Sequence, residues 1–135
     1  MTTANLSRRL PLDGVRVVVD AAHGAAYKVA PMVFQELGAK VTAIGVKPTG
    51  VNINLNSGAL HPDNVRAEVV KRGAHIGIAL DGDADRVVIV DEKGNVVDGD
   101  QIMAVIAESW NRRGKLAAGG VVATRIGYNH RDPAF

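Results

Sequence analysis

Short apolar bursts separated by breakers run along most of the chain, and their period switches between two residues and a helical turn. Residues 15–20, "VRVVVD", are a β-branched run entered through Asp13-Gly14, the pattern of a buried strand after a turn. "AAHGAA" then breaks the run. Over residues 25–37, Val29, Met32, Val33 and Leu37 recur at helical spacing, and Gly38 stands where a helix commonly ends. "KVTAIGV", residues 40–46, reads as the next strand. Strand, helix and strand within about thirty residues form a βαβ unit, whose crossover forces parallel pairing.

Residues 47–63, "KPTGVNINLNSGALHPD", lack periodicity and are rich in Pro, Gly and Asn, and a loop of this length in a compact domain is usually functional or disordered. "PDNVRAEVVKRG" predicts a second helix, with Asp63 or Asn64 able to cap its free N–H groups and Gly73 closing it. "AHIGIAL" predicts a buried strand. "RVVIVDE", the turn "EKGN" and "VVD" predict a hairpin. Ile102, Met103, Val105, Ile106 and Trp110 give residues 99–113 an apolar helical face, and "GGVVAT" predicts a last strand. The tail, residues 125–135, carries no apolar face. The fold expected is an α/β three-layer sandwich, α/β/α, around a mixed, mostly parallel sheet.

Composition narrows the function more than the fold. The 135 residues are 47% hydrophobic and 22% charged, enough for one domain with a modest core. A formal charge of +2 from scattered Lys and Arg leaves no footprint for nucleic acid or anionic membrane. Without cysteine there is neither a disulfide framework nor a thiolate metal site. No segment reads as a signal peptide or a bilayer span, so the expected compartment is the cytoplasm.

One loop carries chemistry. In "IALDGDADRVVIVD", Asp81, Asp83 and Asp85 follow a buried strand at alternate positions, separated only by Gly82 and Ala84. In continued strand geometry they would share a face, and in a tight turn they would converge. Carboxylates that close repel one another, and a divalent cation resolves the conflict. Oxygen-only ligands favour a hard cation, and three carboxylates with positions left open suit Mg²⁺.

An EF-hand loop is excluded, although Glu92 falls at its twelfth position, because Arg86 stands where the sharp turn needs Gly and a strand follows. A phosphatase-type Asp nucleophile with an Asp acid/base leaves the third Asp and the adjacent Arg86 unexplained. A guanidinium beside a metal is costly unless an anion lies between, and a phosphate would supply it. Phosphoryl transfer is therefore the leading reaction class.

At this point D-G-D-A-D-R after an apolar strand resembles the metal-binding loop of the α-D-phosphohexomutases. "GVRVVVDAAHGAAYKVAPMVFQELGAKV" is similar to the opening strand and helix of that family's second domain. "GVNINLNSGALHPDNV" is similar to the loop of its phosphoglucosamine mutase branch, and the resemblance runs from about Leu12 to Thr124. It implies interconversion of glucosamine 6-phosphate and glucosamine 1-phosphate through a phosphoserine and a bisphosphorylated sugar. Carried over, it implies Asp81, Asp83 and Asp85 as Mg²⁺ ligands and Arg86 as the catalytic group that stabilises the moving phosphoryl. His61 becomes a possible substrate-loop contact, with an ordinary surface histidine the alternative. His23 reads as a polar residue in a strand-to-helix turn, and Gly24 resembles a phosphate-cradling helix start only weakly.

The family's nucleophile lies in a T-A-S-H-N-P-like segment, and neither Ser7, Ser57 nor Ser109 has that context. Family members have four domains, so the expectation is the second domain alone: residues 1–12 a former interdomain linker, 13–124 the metal-binding domain and 125–135 an atypical tail. The expected partners are a phosphosugar and the other domains of the same enzyme. Three alternatives stay open: a phosphomannomutase or phosphoglucomutase fragment, a non-catalytic metal-binding interaction domain, and a nucleotide-binding α/β domain, the last without G-x-G-x-x-G.

Overall fold

The computed structural model describes residues 10–116 and 120–121. It divides into two compact units, Met1–Val96 and Val97–Phe135. The first contains β1 (Arg16–Asp20), α1 (Val29–Glu36), β2 (Lys40–Ile44), a 3-10 turn (Gly58–Leu60), α2 (Asp63–Arg72), β3 (Ile76–Leu80) and β4 (Val87–Asp91), and β5 (Val96–Val97) lies at its boundary. The sheet order is β2-β1-β3-β4-β5. β1 pairs in parallel with both β2 and β3, and β4 runs antiparallel to β3. The expected mixed α/β sheet is present.

Side-chain alternation along β1 builds two cores from one strand. Val18 joins Val65, Val69, Ala74, Ala79 and Val90 on the α2 side. Val17 and Val19 join Ala39 and Ile78, with Ala30 and Phe34 of α1 packed against them. Helices therefore cover opposite faces of this sheet, the reason β1 is apolar on both sides.

Helix α1 is shorter than the expected 25–37, because residues 25–28 are spent in turns. Its contact face also differs. Ala30 and Phe34 pack against the sheet and Pro31 is buried, whereas Val29, Met32 and Val33 are exposed. Pro31 is tolerated because the first-turn N–H it lacks has no helical partner. At the other end Gly38 takes φ +95°, and the Ala39 N–H reaches back to the Phe34 carbonyl at 3.0 Å.

The side-chain cap expected for α2 is absent. Pro62 occupies the N-cap position, Asp63 lies in the first turn and pairs with Arg66 at 2.9 Å, and the Asn64 amide donates to the Asn56 carbonyl instead. The β4–β5 turn is held by Asp91, whose Oδ1 accepts from the N–H groups of Lys93 at 2.9 Å and Asn95 at 2.7 Å. That network, led by the Asn95 side chain, holds the Asp91 carboxyl below its usual range.

In the second unit α3 (Gly99–Arg112) starts at a capping box: Asp98 accepts from the Asp100 N–H at 2.7 Å, and Gln101 accepts from the Asp98 N–H at 3.0 Å. The strand expected over 119–124 falls mostly outside the described residues, and the tail 125–135 and residues 1–9 fall wholly outside them. Among the described residues, no helix is long and apolar enough to cross a membrane.

Candidate metal centre

Parallel strands β1 and β3 lead to carboxylates at the same end of the sheet, Asp20 as the last residue of β1 and Asp81 as the residue after β3, at the edge where α/β sheets place their ligands. The chain leaves β3 through Asp81, turns over Gly82 to Asp85 and re-enters the sheet as β4. The turn is closed by Ala84 N–H to the Asp81 carbonyl at 3.0 Å, with Ala84 itself at φ +62°. This reversal brings carboxylate oxygens of Asp81, Asp83 and Asp85 within 4.8 Å of one another. Asp81 is 3% exposed, while Asp83 and Asp85 face solvent.

Arg86 holds the buried member at both oxygens. Its backbone N–H donates to Asp81 Oδ1 at 3.0 Å, and its Nε lies 3.2 Å from Asp81 Oδ2 and 3.4 Å from Asp85 Oδ1. The backbone bond from Arg86 is the main cause that sets the Asp81 carboxyl below the usual range. Asp85 is raised, by its hydrogen bond with Asp81 and the charges of Asp83 and Asp81. The consequences for stability have opposite signs. Asp81 contributes stability that is present above its unfolded pKa and lost as pH falls through the folded value. Asp85 contributes stability that is present below its unfolded pKa and lost as pH rises through the folded value. A carboxyl-carbon NMR titration without metal is expected to show Asp85 protonating at higher pH than Asp81. The reverse order would contradict this geometry.

The loop is seated on two others by close backbone approach. The Gly82 carbonyl accepts from the Ala25 N–H at 2.7 Å, and a Cβ on Gly24 would lie 2.2 Å from that same carbonyl oxygen. Gly24 is thus needed for packing against the acidic turn. Ile53 and Asn54 press on Gly82 from the long loop, and the Asn54 N–H bonds the Ala22 carbonyl at 2.9 Å.

Asp20, which the sequence reading did not single out, ties these pieces together. It is 1% exposed, and its two oxygens accept from the N–H groups of Ala22 and Gly58, each at 2.9 Å. Its only signal in sequence is an acid ending an otherwise apolar strand. His23 stands in the same turn at φ +52°, its Nδ1 accepting from the Lys47 N–H at 3.2 Å. His61 ends the 3-10 turn, exposed, with its backbone N–H on the Gly58 carbonyl. It is not part of the carboxylate cluster.

The donor set fits a hard divalent cation: all-oxygen, one ligand rigid and buried, two free to adjust, with open positions toward solvent. Zinc, which favours N and S donors, fits poorly. Two open concavities among the described residues lie elsewhere, one lined by Arg16, Lys40 and Arg72 and the other by Asp63, Arg66 and Lys93. Chemistry rather than enclosure marks this site.

Comparison with known proteins identifies the family. Residues 2–94 match the sequence model of the family described as phosphoglucomutase/phosphomannomutase, alpha/beta/alpha domain II. The chain is 69% identical over 115 residues to a phosphoglucosamine mutase of Sorangium cellulosum, covering 85% of this chain and 24% of that protein. It is 60% identical over 117 residues to one of Paramagnetospirillum magneticum, covering 87% of this chain and 26% of the relative. It spans about a quarter of the length of the curated relatives it matches. Among solved structures, a phosphoglucomutase/phosphomannomutase family protein of Burkholderia thailandensis superposes with a TM-score of 0.64 at 30% identity, over 78% of this chain and 24% of that one.

Proposed function

The chain belongs to the phosphoglucomutase/phosphomannomutase family, in its alpha/beta/alpha domain II, and on that premise we propose that its acidic loop is the metal half of a phosphosugar mutase site. The observation that carries this is the convergence of Asp81, Asp83 and Asp85 within 4.8 Å at the end of β3. The substrates proposed are glucosamine 6-phosphate and glucosamine 1-phosphate, as the names of the high-identity relatives favour. The serine that carries the phosphoryl group is supplied by another domain of the same enzyme.

Bound at this loop, Mg²⁺ would supply charge neutralisation to a phosphoryl group in transit. The remaining work falls to the chain. Asp81, fixed by burial and two bonds from Arg86, sets the position of the site. Asp83 and Asp85 complete the ligand set without leaving the surface. The Arg86 guanidinium, a planar donor matched to phosphate geometry, binds a phosphoryl oxygen and orients it. His61 serves, in this reading, as a substrate-loop contact.

Val51, Ile53, Leu55 and Leu60 expose large apolar side chains along the loop that presses on the acidic turn, Val51 at 90%. Such a patch suits burial against the enzyme's other domains. Residues 1–12 are then a linker, 13–124 the domain and 125–135 a segment of different character. The cytoplasm is the proposed compartment, and neither nucleic acid nor membrane is a proposed partner.

The test is a transplant. Residues 2–94 put in place of the matching segment of the Sorangium cellulosum mutase are expected to give an enzyme that turns over glucosamine 6-phosphate. The 135-residue chain alone is expected to give none, since it lacks the serine context and most of the substrate contacts. A folded, Mg²⁺-binding chimera without turnover would argue against the assignment, and turnover by the purified chain would argue against a serine supplied by another domain.

A further inference from the structure

Arg86 occupies oxygens that a metal at this loop would need. Asp81 offers two carboxylate oxygens: one accepts the Arg86 backbone N–H, and the other lies 3.2 Å from the Arg86 Nε. The same Nε lies 3.4 Å from Asp85 Oδ1. One guanidinium thus bridges two of the three carboxylates whose oxygens converge within 4.8 Å. No other Lys or Arg forms an ion pair with Asp81, Asp83 or Asp85 among the described residues.

Without a cation, three carboxylates this close repel one another, and the guanidinium offsets part of that repulsion. With a divalent cation present, the two positive groups would compete for the same oxygens. The Arg86 side chain is 69% exposed, so it can swing outward without disturbing the core. Its backbone N–H bond to Asp81 Oδ1 need not change in that swing.

We propose that Arg86 is the built-in counter-cation of the metal-free loop, and that binding of a divalent cation displaces its guanidinium from Asp81 Oδ2 and Asp85 Oδ1, freeing it to receive an anion. Metal binding and the availability of the anion-binding group are then one linked event. The order of events follows: the cation first, the phosphate group second. This inference rests on the metal-site reading above and adds to it a specific exchange of partners.

The experiment is a Mg²⁺ titration of the full 135-residue chain, reading the Arg86 Nε–Hε NMR resonance beside the calorimetric binding curve, for the parent and for Arg86→Gln. The resonance is expected to move with the same midpoint as the heat. Arg86→Gln, having lost the competitor, is expected to bind Mg²⁺ roughly two- to thirtyfold more tightly, the range two ion pairs made by an exposed guanidinium would give. Metal binding with the Arg86 resonance unmoved, or weaker binding by Arg86→Gln, overturns the exchange and leaves the metal site standing. Absence of Mg²⁺ binding in both proteins sinks the metal reading and the exchange together.

Discussion

Replacing Asp81 with Asn is expected to lower Mg²⁺ affinity by about 100-fold, or ~2.8 kcal/mol at 1.4 kcal/mol per decade. Asp81 is the buried, immobile ligand, so no neighbouring carboxylate can slide into its place. Asparagine keeps an oxygen to accept the Arg86 N–H bond, so the turn should survive, but it removes a negative charge from the one position sheltered from water. Asp85→Asn at an exposed position is expected to cost less, because the loop can re-aim Asp83 and water can substitute. Calorimetric titration of the two variants checks this. Equal losses in both would mean that burial of Asp81 does not set the site.

Gly58→Ala is expected to give the largest loss of stability. Gly58 has φ +73°, a region costly for alanine, and an added Cβ would lie 2.2 Å from the Leu80 carbonyl oxygen and 2.4 Å from the Ala22 Cβ. Strain and overpacking together should cost on the order of 3 kcal/mol. That corresponds to a drop in Tm of roughly 10–20 °C for a domain of this size. Gly73→Ala is the control: its φ is +58°, but nothing lies within 4 Å of the added atom, so only strain remains. Since Leu80 directly precedes Asp81, Gly58→Ala should also weaken metal binding, whereas Gly73→Ala should not. Matching melting temperatures for the two variants would refute the packing argument.

The strands and the acidic turn were legible because each is a local pattern. "VVV" announces β1 by composition, and the alternation of Asp with Gly and Ala announces the turn after β3. What could not be read was set by distant partners. The apolar residues that suggest α1 include three that stay exposed, since periodicity finds a helix without showing which side meets the sheet. Asn64 looks like a cap for α2, yet it is drawn off to the Asn56 carbonyl, a choice made by the fold of the long loop. Gly24 resembles the start of a phosphate cradle, but the residue that needs it small is Gly82, far along the chain. Asp20 carries little mark in the sequence for the same reason: its partner Gly58 comes close only when the long loop has folded.

If Asp81, Asp83 and Asp85 form the cation site, Mn²⁺ in place of Mg²⁺ reveals it through paramagnetic broadening of backbone NMR signals. The strongest broadening is expected in residues 81–86, then in Gly24 and Asn54, which sit against the turn, with the Asp91 turn spared. Broadening centred on Asp91, or spread evenly over exposed acids such as Asp63 and Asp100, would contradict it.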